Sequence, residues 1–282
     1  MLIRRQDLSG LFLYYLGYSR IRNLLLRLLH KPVAMFVCFH DVPPETIRCF
    51  KANLQFLKQS TNVVSLDDFF SGKLSLKRIN VVITFDDGYK SWVTDAIPIL
   101  KELGLPATFF VSSGFVGLSK ADESEFMRSK LLLKPGSRSL TGGLDLKDVR
   151  KLAEEGFTVG GHTVNHSNLV ELRDNTQLRC EIVEDKMRLE GITGKNIPYF
   201  AYPFGAYENP EINLTEVLRE SGYRGAVTTV SGFNRVGTNP YLLHREITNA
   251  SMSGQVFRAR VYGNYHAVWS LKQQINMVFK RR

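Results

Sequence analysis

The chain reads as an α/β protein built from repeated βα units around a parallel sheet or barrel. Three observations predict that class. Short runs of β-branched and aromatic residues alternate with amphipathic stretches along the chain. The composition, 44% hydrophobic and 23% charged with no low-complexity tract, is that of a folded globular chain. The length, 282 residues, suits one large domain with a sizeable core better than two ordinary ones.

The elements follow in order. The apolar run 33–39 predicts a first strand and 47–58 a helix; 81–85 is a strand, 95–103 a helix and 107–111 a strand. Residues 112–144 form a polar, glycine-punctuated excursion, longer than an ordinary connection and read as a loop over the active face or a mobile lid. A helix over 146–155, a short strand over 158–160, a long helix over 176–189, a strand over 199–202 and a helix over 212–220 continue the alternation. Strands over 225–227 and 242–247 finish the sheet, giving a domain over 33–260 between an N-terminal segment, 1–32, and a basic tail, 261–282.

The net charge of +10 and pI near 9.5 suit nucleic acid, anionic lipid or an acidic glycan alike. Much of that charge lies at the ends, in Arg4, Arg5, Arg20, Arg22, Arg27 and Lys31 and in Lys280, Arg281 and Arg282. Three arginines inside the apolar stretch 11–29 argue against a spanning helix. No uninterrupted apolar core with a small-residue cleavage site marks a removable signal peptide. Three readings of this segment stand: a basic amphipathic helix lying in an anionic membrane interface, a helix docked on the domain, or a signal anchor. Cys38, Cys49 and Cys180 are odd in number and far apart, which speaks against a disulfide framework or a thiolate zinc cage. That favours a reducing compartment, the cytoplasm or the inner face of the membrane, while the side of the membrane stays open.

The chemistry starts at Thr84-Phe85-Asp86-Asp87-Gly88, where an apolar run delivers two adjacent carboxylates to a glycine turn. In parallel α/β folds such strand ends carry the sites. Two neighbouring carboxylates stay ionised together only beside a cation, so one is suited to bind a metal while the other stays free as a base. Alone, Asp-Asp-Gly is also a turn in which one Asp caps the next helix. The second motif, Gly160-Gly161-His162-Thr163-Val164-Asn165-His166, follows another predicted strand and spaces two histidines to share one face of a helical turn. Two neutral imidazoles and a carboxylate make a three-ligand site with open positions, as hydrolytic divalent centres require. One divalent ion is expected, zinc first, with cobalt, nickel or manganese as alternatives.

With a third motif, Phe200-Ala201-Tyr202-Pro203-Phe204-Gly205, the chain resembles the polysaccharide deacetylase family, the NodB homology domain or carbohydrate esterase family 4. The resemblance covers residues 33–260 and implies a distorted (β/α) barrel. It also implies Asp86 as catalytic base, Asp87, His162 and His166 as metal ligands, and the Phe204 N–H as an oxyanion donor. Cys38-Phe39-His40-Asp41-Val42 is similar to a Tyr-His-Asp sequence in the branch that acts on poly-N-acetylglucosamine and other surface polysaccharides. That likeness makes His40 a lining residue; otherwise it is a satisfied polar group at a strand end. Two departures matter. Ala201 stands where many members carry an arginine that orients the base, and Arg245 is the cation expected to replace it. Leu242-Leu243-His244 matches a Leu-x-His motif that would make His244 the general acid, whereas in the alternative register His244 is a spacer before Arg245. Tyr202, Phe204 and Tyr207 either shape the sugar pocket or belong to the core.

The implied activity is metal-dependent removal of N-acetyl groups from amino sugars of a polysaccharide or surface glycan. Alternatives are deacylation or deformylation of a lipid-linked sugar, a non-catalytic glycan-binding protein on the same fold, and an iron oxygenase centre, against which the spare Asp86 counts. The expected partners are an N-acetylated glycan or lipid-linked sugar and an anionic membrane at the N-terminus, with no nucleic acid.

Overall fold

Continuous apolar runs become strands buried on both faces, and these set the frame. The structure, a computed structural model, describes residues 5–28, 31–132 and 141–267. Its strands are β1 (Ala34–Phe39), β2 (Asn62–Val63), β3 (Asn80–Phe85), β4 (Thr108–Val111), β5 (Thr158–Gly161), β6 (Tyr199–Ala201), β7 (Gly225–Val227), β8 (Phe233–Asn234) and β9 (Glu246–Ile247). Its helices are α1 (Arg5–Tyr15), α2 (Tyr18–Leu28), α3 (Ile47–Ser60), α4 (Leu66–Phe70), α5 (Ile97–Leu103), α6 (Lys120–Ser129), α7 (Leu146–Glu154), α8 (Asn175–Arg179), α9 (Asp185–Thr193), α10 (Leu214–Glu220) and α11 (Gly254–Val261).

The strand order is β7-β6-β5-β4-β3-β1-β8, parallel except for the β1–β8 pair. The sheet curls strongly, and one short segment touches both of its ends. Leu243 bridges Val227 of β7, while Glu246 and Ile247 pair with Val37 and Cys38 of β1. The result is the expected distorted barrel, with a last stave only a few residues long. A full strand over 242–247 does not form.

Because successive side chains on a strand point to opposite faces, the core has two layers. Phe39, Phe85, Trp92, Phe109 and Phe200 belong to the outer layer, between sheet and helices. Ala34, Phe36, Val82, Phe110, Tyr199, Ala201, Val227 and Leu243 fill the inside of the curl. Helix ends are locally encoded: Asp145 makes a capping box with Asp148 at α7, Ser119 caps α6, and Gly104 and Gly194 end α5 and α9 in left-handed backbone.

Three differences from the sequence expectations have physical causes. The excursion 112–144 contains α6, a helix whose mostly polar sequence hides its short inward face of Glu123, Phe126 and Met127; residues 133–140 lie outside the described residues. The single helix expected over 176–189 is α8 and α9 joined by a π-turn at Cys180–Glu184. The N-terminal stretch breaks at Gly17, in left-handed backbone, into two helices. Of these, α1 docks on the domain: Leu11 is buried, Tyr14 stacks on Tyr262 with ring centroids 6.3 Å apart, and Gly10 lies against the Tyr265 ring. No helix among the described residues is long and apolar enough to cross a membrane. The expected tail lies outside the described residues from 268 onward.

Close packing at β5 leaves no room for a side chain at Gly161, where an added Cβ would lie 2.4 Å from the Tyr223 hydroxyl and 2.8 Å from Asp185 Oδ2. Gly161→Ala is therefore expected to cost about 1–3 kcal/mol in denaturant unfolding. Unchanged stability would show that β5 and α9 are not packed this closely.

Candidate active site

All the motif residues gather at the carboxyl end of the parallel strands. Asp86 follows β3 on the inward face shared with Val82 and Thr84, and Asp87 turns out of the strand with φ 91°. His162 follows β5, and the chain then turns through Thr163 (φ 63°) to His166 (φ 52°). Phe204, after β6, has φ 59°. Among the described residues five non-glycine positions are left-handed, and four of them are these. Each such position costs about 1–3 kcal/mol, so the surrounding fold over-determines the site.

Asp87 Oδ1 lies 3.4 Å from Nε2 of both His162 and His166, all three side chains buried. The other ring nitrogens settle the tautomers. His162 Nδ1 lies 2.7 Å from the Ala201 carbonyl and His166 Nδ1 3.0 Å from the Lys130 carbonyl. A carbonyl only accepts, so each Nδ1 carries a proton and each neutral ring turns its Nε2 lone pair toward Asp87. Three acceptors facing one another, their ligand atoms all within 4.8 Å, call for a cation between them. A carbonyl behind each ligating imidazole is the usual outer support of a metal-binding histidine. The donor set thus fits a divalent ion. Burial opposes charge on His162, but the Asp87 carboxylate 3.4 Å away and the nearby Asp86 outweigh that and raise its pKa. Burial and the neighbouring His162 push His166 down to about 4.

Asp86 is held differently. Arg245 Nη1 and Nη2 donate to its two oxygens, each at 2.6 Å, while Nε donates to the Thr228 carbonyl at 2.8 Å and Nη1 also reaches Thr84 Oγ1 at 3.2 Å. Burial drives the Asp86 pKa upward, but the guanidinium outweighs it and keeps the carboxylate below the ordinary range, ionised. Arg245 thus makes the ion pair with Asp86 that was expected of a cation replacing an arginine at position 201. A second cluster of potential ligands, Cys38, His40 and Asp86, adjoins the first. Arg245 engages both Asp86 oxygens there, and its charge disfavours a second cation.

A cavity of about 410 Å³ opens over these groups, lined by His40, Asp41, Asp86, Asp87, Tyr89, Leu131, His162, His166, Tyr202, Phe204, Thr229, Thr248 and Asn249. His40 lines it, half-buried, with a ring nitrogen within 4.8 Å of an Asp86 oxygen. The Phe204 ring stands edge-on to His166, centroids 4.6 Å apart. Tyr202 contributes to the wall, but its ring packs edge-on against Phe200 in the outer core. His244 does not line the cavity. It sits one residue from Leu243, an inner-layer residue, and so faces the opposite side from Leu243 and Arg245, against Gly232.

Several contributors carried no motif signal. Asp185, fully buried at the start of α9, accepts the backbone N–H groups of Ser113 (2.9 Å) and His162 (2.8 Å); burial raises its pKa to about 7. Asp41 accepts from Ser91 Oγ (2.6 Å) and Thr141 Oγ1 (3.1 Å) at the cavity wall. Asp41 directly follows His40 in the Cys38–Val42 segment. Nothing local in the sequence announces Asp185 or the Lys130 carbonyl.

A curled parallel sheet bearing a carboxylate pair and two histidines at its carboxyl end defines an α/β protein with a hydrolase-type centre. A family model described as polysaccharide deacetylase matches residues 73–226, more than half of the chain. The chain belongs to the polysaccharide deacetylase family. YxkH of Bacillus subtilis is 28% identical over 181 residues, 64% of this chain and 56% of YxkH, so the match spans little more than half of that relative's length. Among solved structures, IcaB from Ammonifex degensii superposes with a TM-score of 0.63 at 23% identity, covering 81% of this chain and 97% of IcaB. The Streptococcus pyogenes deacetylase PplD, solved in complex with acetate, gives 0.62 at 22% identity, covering 82% and 98%. Both likenesses concern the fold.

Two outcomes are expected of this geometry. Arg245→Met leaves Asp86 buried without its counter-charge and should cost about 3–5 kcal/mol in denaturant unfolding, much of it recovered by adding Asp86→Leu; simple additivity of the two losses would contradict the pairing. Asp185→Asn, which keeps the shape while disturbing the support of His162, should weaken zinc affinity by about 10–100-fold in competition titration. Unaltered affinity would make Asp185 a purely structural group.

Proposed function

We propose that the chain is a metal-dependent hydrolase that removes N-acetyl groups from amino sugars of a polysaccharide or surface glycan. The observation that carries this reading is the division of labour between adjacent carboxylates: Asp87 faces two imidazole lone pairs, and Asp86 is kept ionised but apart by Arg245. Asp87, His162 and His166 would hold one divalent ion, for which two imidazoles and a carboxylate favour zinc. When bound, that ion supplies Lewis acidity to the acyl oxygen and makes water acidic near neutral pH.

The residues of the chain do the rest. Each oxygen of Asp86 keeps a lone pair beyond its bond to Arg245, so the carboxylate can take the proton of the attacking water. The water oxygen bonds to the acyl carbon, and negative charge grows on the carbonyl oxygen. The Phe204 N–H, turned by its left-handed backbone, is assigned as the donor to that charge. The carbon–nitrogen bond then breaks as the nitrogen takes a proton, leaving acetate and a free amine. His40 is the assigned proton donor, because it lines the cavity beside Asp86 whereas His244 does not. The membership of the chain in the polysaccharide deacetylase family supports the glycan as substrate.

Acetate release from N-acetylglucosamine oligomers by the zinc-loaded protein tests the reading. Asp86→Asn should retain stoichiometric zinc while losing about 10²–10⁴-fold in kcat. His162→Ala should lose the zinc itself. His40→Ala should lower kcat about 10²-fold or more with His244→Ala close to wild type; the reverse pattern would transfer the acid role to His244. Zinc binding without acetate release from any N-acetylated glycan would overturn the assignment of deacetylation.

A further inference from the structure

We propose that the helix pair α1–α2 is a docking face for an anionic lipid bilayer. The proposal rests on the outer surface of these helices and stands independently of the deacetylase reading.

Each helix has one face turned to the domain. On α1, Leu11 is buried and Tyr14 stacks on Tyr262. On α2, Ser19 is buried and Arg22 lies over the Phe233 ring at 4.4 Å and donates to the Tyr262 carbonyl at 2.5 Å. A docked surface helix ordinarily turns polar residues to water. Here the described exposed side chains on both helices are large and apolar. On α1, Leu8 and Phe12 are exposed at the i, i+4 spacing, and Tyr15 and Leu16 carry the row on; on α2, Tyr18, Ile21, Leu24 and Leu25 repeat it. Most of these side chains are more than half exposed, and together they are eight of the fifteen large apolar side chains exposed among the described residues. Isolated exposed apolar residues are unremarkable; a contiguous set on two consecutive helices marks an interaction surface.

Charge selects the occupant. Residues 1–31 carry Arg4, Arg5, Arg20, Arg22, Arg27 and Lys31 against one acid, Asp7, which is half of the chain's net +10. A second copy would bring the same cations to the contact. The chain's own tail, 268–282, brings Lys272, Lys280, Arg281 and Arg282 and no acid. An anionic bilayer offers apolar depth for the exposed row and negative head groups for a segment whose sequence is cationic even without Arg22, which faces the domain.

The test is co-sedimentation of the full-length protein with vesicles of phosphatidylcholine alone and of phosphatidylcholine containing phosphatidylglycerol. Binding is expected to the anionic vesicles, weakening as salt is raised. The quadruple variant Phe12→Glu, Leu16→Glu, Ile21→Glu, Leu24→Glu should lower the partition coefficient about tenfold or more. All four positions are exposed, so its unfolding midpoint and its acetate release from a soluble oligosaccharide should match wild type. Equal binding by wild type and variant, or none by wild type, would overturn the proposal. So would a concentration-dependent dimer in sedimentation velocity that the variant dissolves, which makes a second copy the occupant. Vesicle binding that appears only when 268–282 are deleted would assign the face to the tail and would equally overturn it.

Discussion

The buried fork between Arg245 and Asp86 is the interaction on which the active end of this barrel depends. Burying a carboxylate and a guanidinium costs several kcal/mol per ion, of order, and is offset only where geometry is near ideal and the remaining donors are satisfied. Both conditions hold: two bonds of 2.6 Å join the charges, and Thr228 and Thr84 take two further donor contacts of the guanidinium. The arginine comes from the segment that closes the curled sheet, between Leu243 on β7 and Glu246 on β1. Barrel closure and placement of Asp86 are therefore one structural event. A fault in either disturbs the other.

That pairing also decides what Asp87 does. With Asp86 neutralised by an internal cation, the remaining charge at the strand end belongs to Asp87, and what faces it are two imidazoles whose protons are directed elsewhere by the carbonyls of Ala201 and Lys130. The site so formed has the donor set of a divalent ion. Left-handed backbone at Asp87, Thr163, His166 and Phe204 brings the groups together, and the strain is balanced by the packing of two core layers beneath.

Much of this was legible in the sequence because buried parallel strands are unbroken apolar runs and because catalytic motifs sit where those runs end. The need for Arg245 was readable only through the family resemblance: Ala201 stands where many members carry an arginine, which leaves Asp86 requiring a cation from elsewhere. The side on which His244 falls was not readable, since a one-residue shift in register exchanges the two faces of a strand and the closing segment is too short to show its own alternation. The helix α6 is hidden in the sequence because its inward face is one short patch among polar residues, yet its last turn leads to the Lys130 carbonyl that fixes His166. Contributions of backbone carbonyls, and of a distant acid such as Asp185, belong to tertiary packing and leave no local pattern.

The most direct test of the central claim is an anomalous difference map from crystals of the zinc-loaded protein. The account predicts one peak about 2.0–2.2 Å from Asp87 oxygen and from Nε2 of His162 and His166, with Asp86 still forked to Arg245 and off the ion. A peak held instead by Cys38, His40 and Asp86, with Arg245 displaced, would contradict it.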